Sequence, residues 1–254
     1  MTMNDMPLAI EPDSAGPAVR RLDSYYGGLE GRELLEPLIT RVFAGRVALV
    51  SSFGAESAVL LHMVASIDRA TPVIFLNTGK LFGETLAYRE EIVEKFGLTN
   101  VRDIRPDPVD TARSDPRGDL WNSDGTACCH IRKVLPLQRA LTGYTAWITG
   151  RKRFQSSGRA SISTFETEFE RIKINPLAGW APERVMAYMK DHDLPPHPLV
   201  ELGYRSIGCA PCTSPVGASE GARAGRWRGD NRDECGIHMV GGRPVRASRQ
   251  IAGK

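Results

Sequence analysis

Val47-Ala-Leu-Val-Ser-Ser-Phe-Gly-Ala-Glu-Ser57 is the stretch whose reading decides the fold. Its first four residues are apolar and too short for a helix, which fits a buried strand. Ser51 to Ser57 is a loop of small residues, and residues 58–67 read as a helix. The unit then repeats. Pro72-Val-Ile-Phe-Leu76 is a second strand, 84–96 a second helix ended by Gly97, and 100–105 a third strand. After a Pro- and Asp-rich loop, 131–141 reads as a helix and Thr145-Ala-Trp-Ile-Thr149 as a fourth strand. Residues 172–174 make a weaker strand and 182–192 a helix. Strands alternating with helices imply an α/β fold with a parallel sheet covered on both faces, and ligands in such sheets bind beyond the carboxyl ends of the strands.

The flanks read differently. Residues 1–17 read as a flexible leader, acidic and without the basic start expected of a signal peptide. Residues 22–44 carry helical spacing through Leu34, Leu35, Leu38, Ile39, Val42 and Phe43, with Pro37 as a kink or boundary. The last 60 or so residues lose apolar periodicity and become rich in Gly and Arg. The 254-residue chain is 41% hydrophobic and 25% charged, which excludes disorder and coiled coil as descriptions of the whole. Its longest apolar stretch, 58–65, is interrupted by His62 and falls far short of a membrane span, so a cytoplasmic protein is expected. From Gly217 onward, 8 Lys and Arg face 4 Asp and Glu, while the formal net charge of the whole chain is only +3. Trp227 is the one aromatic there, so a small polyanionic ligand fits better than nucleic acid.

Three loops suit such a ligand. In Ser51–Ser57 the hydroxyls, free amides and helix N-terminus make an anion site, with Gly54 allowing close approach; no Gly-Lys-Ser/Thr of a Walker loop is present. Thr78 and Gly79 lie at the end of the second strand. Thr149-Gly-Arg-Lys-Arg-Phe-Gln-Ser-Ser-Gly-Arg159 carries four cations and no acid. A solvated charged loop is the ordinary reading of a basic run, but its place at a strand end favours anion binding. The five cysteines are Cys128, Cys129, Cys209, Cys212 and Cys235. A tandem pair plus a Cys-x-x-Cys suits zinc or an iron–sulfur cluster, and spacing alone leaves both open. Cys235, among arginines and near His238, has the setting of a reactive thiolate.

These segments resemble the assimilatory sulfonucleotide reductases over residues 30–240, in family order. The matching motifs are Ser-Ser-Phe-Gly-Ala-Glu from Ser51, Asn-Thr-Gly with Glu-Thr from Asn77, and Cys-Cys-x-x-Arg-Lys from Cys128. Gly-Cys-x-x-Cys-Thr-x-Pro from Gly208, Arg-Ala-Gly-Arg-Trp from Arg223 and Glu-Cys-Gly-Ile-His from Glu234 complete the set. The cysteine set is similar to that of the cluster-containing adenylylsulfate (APS) reductases. Asn77 departs from a common Asp, which bears on adenosine recognition, and Arg232 stands near a common Lys, which bears on charge around the nucleophile.

The resemblance implies a parallel-sheet nucleotide-binding fold of the adenine nucleotide alpha hydrolase-like kind, with a cluster-bearing C-terminal segment and a mobile tail. Residues 18–215 would form the sulfonucleotide-binding domain and 216–254 the Arg-rich segment. Cys128, Cys129, Cys209 and Cys212 would hold one 4Fe–4S cluster. Cys235 would be the nucleophile, forming an S-sulfonate that thioredoxin or glutaredoxin resolves, with motion eased by Gly236, Gly241 and Gly242. Ser51, Ser52, Phe53, Gly54, Thr78 and Gly79 would line adenosine. Lys133, Arg151, Arg159, Arg223 and Arg226, with His238, would face the anionic groups. A homo-oligomer is compatible with the likeness. A reductase of PAPS (the 3′-phosphorylated form of APS) or of both is the nearest alternative. A zinc-stabilised nucleotide sensor is the alternative of another class, and an ATP-pyrophosphatase-type ligase is disfavoured by the Cys235 motif.

Overall fold

The computed structural model describes residues 15–230, 232, 234–240 and 243–244. Most of the expected leader, and Gly241 and Gly242 with it, lie outside them. Residues 15–17 already belong to α1 (Ala15–Tyr26). Helical spacing was expected over 22–44 with a kink or boundary at Pro37; the helix does change to a π turn just after Pro37, and it also splits at Gly27-Gly28, where glycine does not hold a helix. α2 (Gly31–Pro37) follows and runs on as a π turn over Leu38–Val42, where Phe43 N–H reaches back to Leu38.

β1 (Val47–Ser51), α3 (Ser57–Ile67), β2 (Val73–Leu76), α4 (Gly83–Phe96) and β3 (Val101–Ile104) alternate as the pattern predicts. Gly97 closes α4 in a left-handed conformation (φ 62°), with Leu98 N–H returned to Val93 O at 3.0 Å. After α5 (Pro108–Ser114) and α6 (Leu120–Ser123), one helical run carries both tandem cysteines: α7 (Gly125–Cys129), a π turn (His130–Val134) and α8 (Leu135–Ala140). Helix therefore starts six residues, nearly two turns, earlier than the periodicity indicates. Asp124 provides the start, its carboxylate accepting from Ala127 N–H at 2.8 Å. Pro136 lacks the N–H for an ordinary helical bond, and the wide turn before it accommodates that loss.

β4 (Ala146–Ile148), β5 (Phe165–Glu168), β6 (Arg171–Ile174) and α9 (Pro182–Asp191) follow. The sheet order is β3-β2-β1-β4-β6-β5, parallel except for the antiparallel β5 edge. β2 and β4 are buried throughout, as two-faced coverage requires. One face packs on α2, α3, α4 and α9 through residues such as Leu34, Leu61, Tyr88 and Val185. The other packs Ala48, Ile74 and Trp147 on Leu137 and Leu141 around α8. Chain order runs outward from β1 to β3 and then restarts at β4 on the other side of β1. The strand order thus reverses between β1 and β4, which opens a crevice at their carboxyl ends. A short hairpin, β7 (Met239–Val240) with β8 (Arg243–Pro244), closes the described chain. Among the described residues no helix is long and apolar enough to cross a membrane.

Candidate active site

The crevice between β1 and β4 is the mouth of a cavity of about 210 Å³. Ser51, Ser52, Gly54 and Glu56 enter it from the loop after β1, Thr78 from the loop after β2, and Arg151 and Lys152 from the segment after β4. Lys133 comes from the π turn beyond the tandem cysteines. The C-terminal segment supplies the opposite wall, with Cys209, Arg223, Arg226, Trp227, Glu234, Cys235 and His238. Arg159 lines it from the 3₁₀ turn Ser157–Arg159.

Two expected residues do not line it. Phe53 points into the core, fully buried, its ring edge-on to Phe75 at 5.4 Å between centroids. Its positive φ of 47° turns the side chain inward while its N–H bonds Ser51 Oγ at 3.2 Å. Gly79 bends away at φ 72°, its N–H held by Asn77 Oδ1. Asn77 also donates to Asp103 Oδ2 at 3.1 Å, a bond an ionised Asp at that position could not make. The departure from Asp thus sits beneath the loop rather than in the cavity. Gly54 does permit a close approach, although to protein: a Cβ there would meet the Ile207 carbonyl at 3.3 Å.

The opposite wall is stitched to the sheet by backbone. Leu81 and Cys209 form an antiparallel bridge, Ala210 N–H bonds Lys80 O at 2.8 Å, and Thr78 Oγ1 lies 3.2 Å from Cys209 Sγ. Thr213 bridges Arg226, Ser214 N–H bonds Gly225 O, and Trp227 N–H bonds Cys212 O. The Cys-x-x-Cys turn and the Arg-Ala-Gly-Arg-Trp run are therefore one folded unit. Trp227 organises it: the guanidiniums of Arg226, Arg223 and Arg232 lie 4.4, 5.4 and 5.8 Å from its ring centroid. An aromatic face lets three cations gather at lower electrostatic cost.

The cations are not equivalent. Arg151 pairs with Glu166 and bonds Asn175 Oδ1, and burial pushes its pKa down. Lys152 pairs with Glu56 at 2.8 Å, and burial lowers it too. Arg159 grips Glu234 through Nε and Nη2, the latter at 2.9 Å, and Arg223 stands 3.5 Å from the same carboxylate. Burial and then Arg159 push Arg223 down to about 10, with Glu234 opposing. Among the described residues, neither Lys133 nor Arg226 is ion-paired with a carboxylate. Burial disfavours the Lys133 ammonium, yet Cys209, Cys235 and Cys129 around it raise its pKa above the usual lysine range. His238 stacks on Trp147 at 6.1 Å with its Nδ1 unpartnered among the described residues. Burial, reinforced by Lys173 and the arginines, keeps it neutral.

All five cysteines are free thiols. Cys128 feels Cys209 and Cys212, and Cys129 feels Cys209 and Cys235, so the two distant pairs share one pocket. Burial pushes the Cys128, Cys129 and Cys212 thiols up, Arg132 or Lys133 opposing. For Cys209, burial is outweighed by Lys133 and the Thr78 hydroxyl, and the thiol is held down. Arg232 reaches Cys129 Sγ at 3.8 Å, so this departure from Lys acts at the tandem pair. Among the described residues no three His, Cys, Asp or Glu side chains are arranged to hold a single metal ion. Sequence reasoning gave no role to Glu56, Trp227 or Glu234, although all three stood inside motifs it had marked, and it counted Lys152 among the anion-binding cations of its loop, whereas Lys152 pairs with Glu56.

A nucleotide-binding α/β protein with its ligand crevice at the strand-order reversal and a thiol-bearing C-terminal wall is the class this geometry defines. The family model described as "Phosphoadenosine phosphosulfate reductase domain" matches residues 46–215. A protein of Mesorhizobium japonicum called adenosine 5′-phosphosulfate reductase is 53% identical over 220 residues, 87% of each chain. One of the same name from Bacillus subtilis is 35% identical, covering 77% of this chain and 85% of the relative. Among solved structures, a phosphoadenylyl-sulfate (PAPS) reductase from Candida auris, described as a phosphate complex, superposes with a TM-score of 0.65. It is 27% identical and covers 78% of this chain and 96% of that one. The chain belongs to the phosphoadenosine phosphosulfate reductase family.

Proposed function

We propose that this protein reduces adenosine 5′-phosphosulfate to sulfite and AMP in sulfate assimilation, with Cys235 as nucleophile. The observation that carries the reading is the meeting of Cys235, Lys133, Arg226 and the Ser51–Ser57 loop in one cavity at the β1/β4 reversal. The nucleotide lies along Ser51, Ser52, Gly54 and Thr78, with its anionic end toward Lys133 and Arg226. The Cys235 thiolate attacks the sulfuryl sulfur, the sulfur–oxygen bond to the phosphate breaks, and AMP leaves with that electron pair. Two negative partners must approach, so Lys133 and Arg226, which meet no carboxylate among the described residues, offset the charge on the sulfate and on the leaving phosphate. A dithiol protein, thioredoxin or glutaredoxin, then attacks Cys235 Sγ and releases sulfite. Its second thiol resolves the mixed disulfide and completes a two-electron reduction.

Cys128, Cys129, Cys209 and Cys212 are the donors for a 4Fe–4S cluster. Four free thiols from two segments, set among Lys133, Arg226 and Arg232, fit a group whose four thiolates leave it negatively charged. When bound, the cluster supplies fixed negative charge and rigid cross-linking of α7 to the 209–212 turn. Iron and sulfide analysis of anaerobically purified protein checks it, and stoichiometric zinc without colour would exclude it.

Intact mass measured after mixing with APS and no reductant is the decisive experiment. Wild type should gain one sulfonate at residue 235, and Cys235→Ser should bind APS and gain none. An adduct in the Cys235→Ser protein, or sulfite released without modification of residue 235, sinks the mechanism. The likeness to a PAPS reductase structure favours PAPS as the second substrate to test. Comparable kcat/KM for APS and PAPS would replace strict APS use with dual use.

A further inference from the structure

Glu234 precedes the nucleophile in the chain and is buried, with 7% exposure, although it is a carboxylate at the wall of an anion pocket. A carboxylate there opposes anion binding and would be costly to bury unless it did something else. Its partners indicate what. Arg159 grips it with two nitrogens, and Arg223 adds a third contact. Arg159 in turn gives its remaining nitrogen, Nη1, to Gln155 Oε1. Gln155 Nε2 donates to Glu56 Oε2 at 3.0 Å, and Lys152 Nζ reaches the same oxygen. A continuous chain of charge-assisted bonds thus runs from the loop that opens α3 to the residue beside Cys235. All three Arg159 nitrogens are thus engaged by protein acceptors, and its charge is matched by the Glu234 carboxylate.

We infer that Glu234 is a positioning residue: by docking on Arg159 and Arg223 it seats Cys235 at the cavity and leaves Lys133 and Arg226 to the anionic substrate. Arg159 is then an anchor for the nucleophile's segment rather than a substrate cation. The inference rests on Cys235 as the attacking thiol.

The two effects have opposite signs when the carboxylate is neutralised. Glu234→Gln loosens the segment, because a neutral amide grips guanidinium less tightly, and it adds one uncompensated positive charge to the pocket. In holoprotein matched for iron content, Cys235 should react with iodoacetamide about fivefold faster or more without nucleotide. AMP affinity should be unchanged or about threefold higher. The single-turnover rate of S-sulfonation by APS should fall about tenfold or more. Glu234→Asp keeps the charge and shortens the arm, so its AMP affinity should match wild type while its sulfonation is slower. A variant that merely unfolds the site loses AMP affinity, which overturns the inference. So does Cys235 alkylation within twofold of wild type. If wild type itself forms no adduct, the proposed reaction fails, and the alkylation and AMP measurements still decide the role of Glu234.

Discussion

His197 shows how much one buried side chain carries outside the cavity. It is fully buried, its Nδ1 accepts the Leu199 N–H at 3.2 Å, and its other nitrogen donates to Thr85 Oγ1 at 3.0 Å. Those bonds require the neutral ring. Burial pushes its pKa down to about 4, Glu84 opposing. The unfolded chain takes up the proton below about 6.5 while the folded protein refuses it until about 4. Stability present above pH 6.5 is therefore lost as pH falls between these values. Urea unfolding of wild type should lose about 2 kcal/mol from this residue between pH 7.5 and 5. His197→Gln should lack that component, and an identical pH slope in the two proteins would refute it.

At the scale of elements, the C-terminal wall depends on a backbone contact more than on side chains. The α carbon of Gly225 lies against the Ser214 carbonyl so closely that a Cβ would collide with it. That contact carries the Ser214–Gly225 hydrogen bond and, through the Thr213–Arg226 bridge, places Arg226 and Trp227. Gly225→Ala should cost about 2 kcal/mol or more in thermal unfolding, as overpacking against backbone does. Its KM for APS should also rise, since Arg226 is displaced. A variant with unchanged Tm and KM would show that the wall yields without cost. The π turn over His130–Val134 is a second element-scale feature, joining the tandem cysteines to Lys133 within one helical run. Its presence was not legible, because it depends on how Pro136 is accommodated and not on apolar spacing. The β5 edge was missed for a related reason. Phe165-Glu-Thr-Glu168 looks like a surface stretch, yet Glu168 is buried because Lys173, itself fully buried over the Trp147 ring, pairs with it.

Across the whole molecule, the two thiol pairs lie about 80 residues apart in the chain, and the fold brings them together beside the crevice. Binding that ties α7 to the 209–212 turn is folding energy for everything between and beyond them. Cys209→Ser, or Cys212→Ser, should lose iron and lower the melting temperature, and proteolysis should cut first in the C-terminal third. An iron-free variant that keeps the wild-type Tm would contradict this.

Much was settled by the sequence alone. Alternating short apolar runs and amphipathic segments can be satisfied only by a covered parallel sheet, because each pattern is a local demand for burial. Loop chemistry after β1, β2 and β4, the cysteine spacing and the Cys235 motif are equally local, and they stood out in the chain. Strand order was decided only by tertiary structure, and with it the crevice between β1 and β4. So was the division of labour among cations: Arg151, Lys152, Arg159 and Arg223 meet carboxylates from distant segments, while among the described residues Lys133 and Arg226 do not. Phe53 turned inward and Glu234 turned into the pocket for the same reason. Whether a side chain faces a ligand, a core or a counter-charge depends on partners tens of residues away, and no local pattern encodes them.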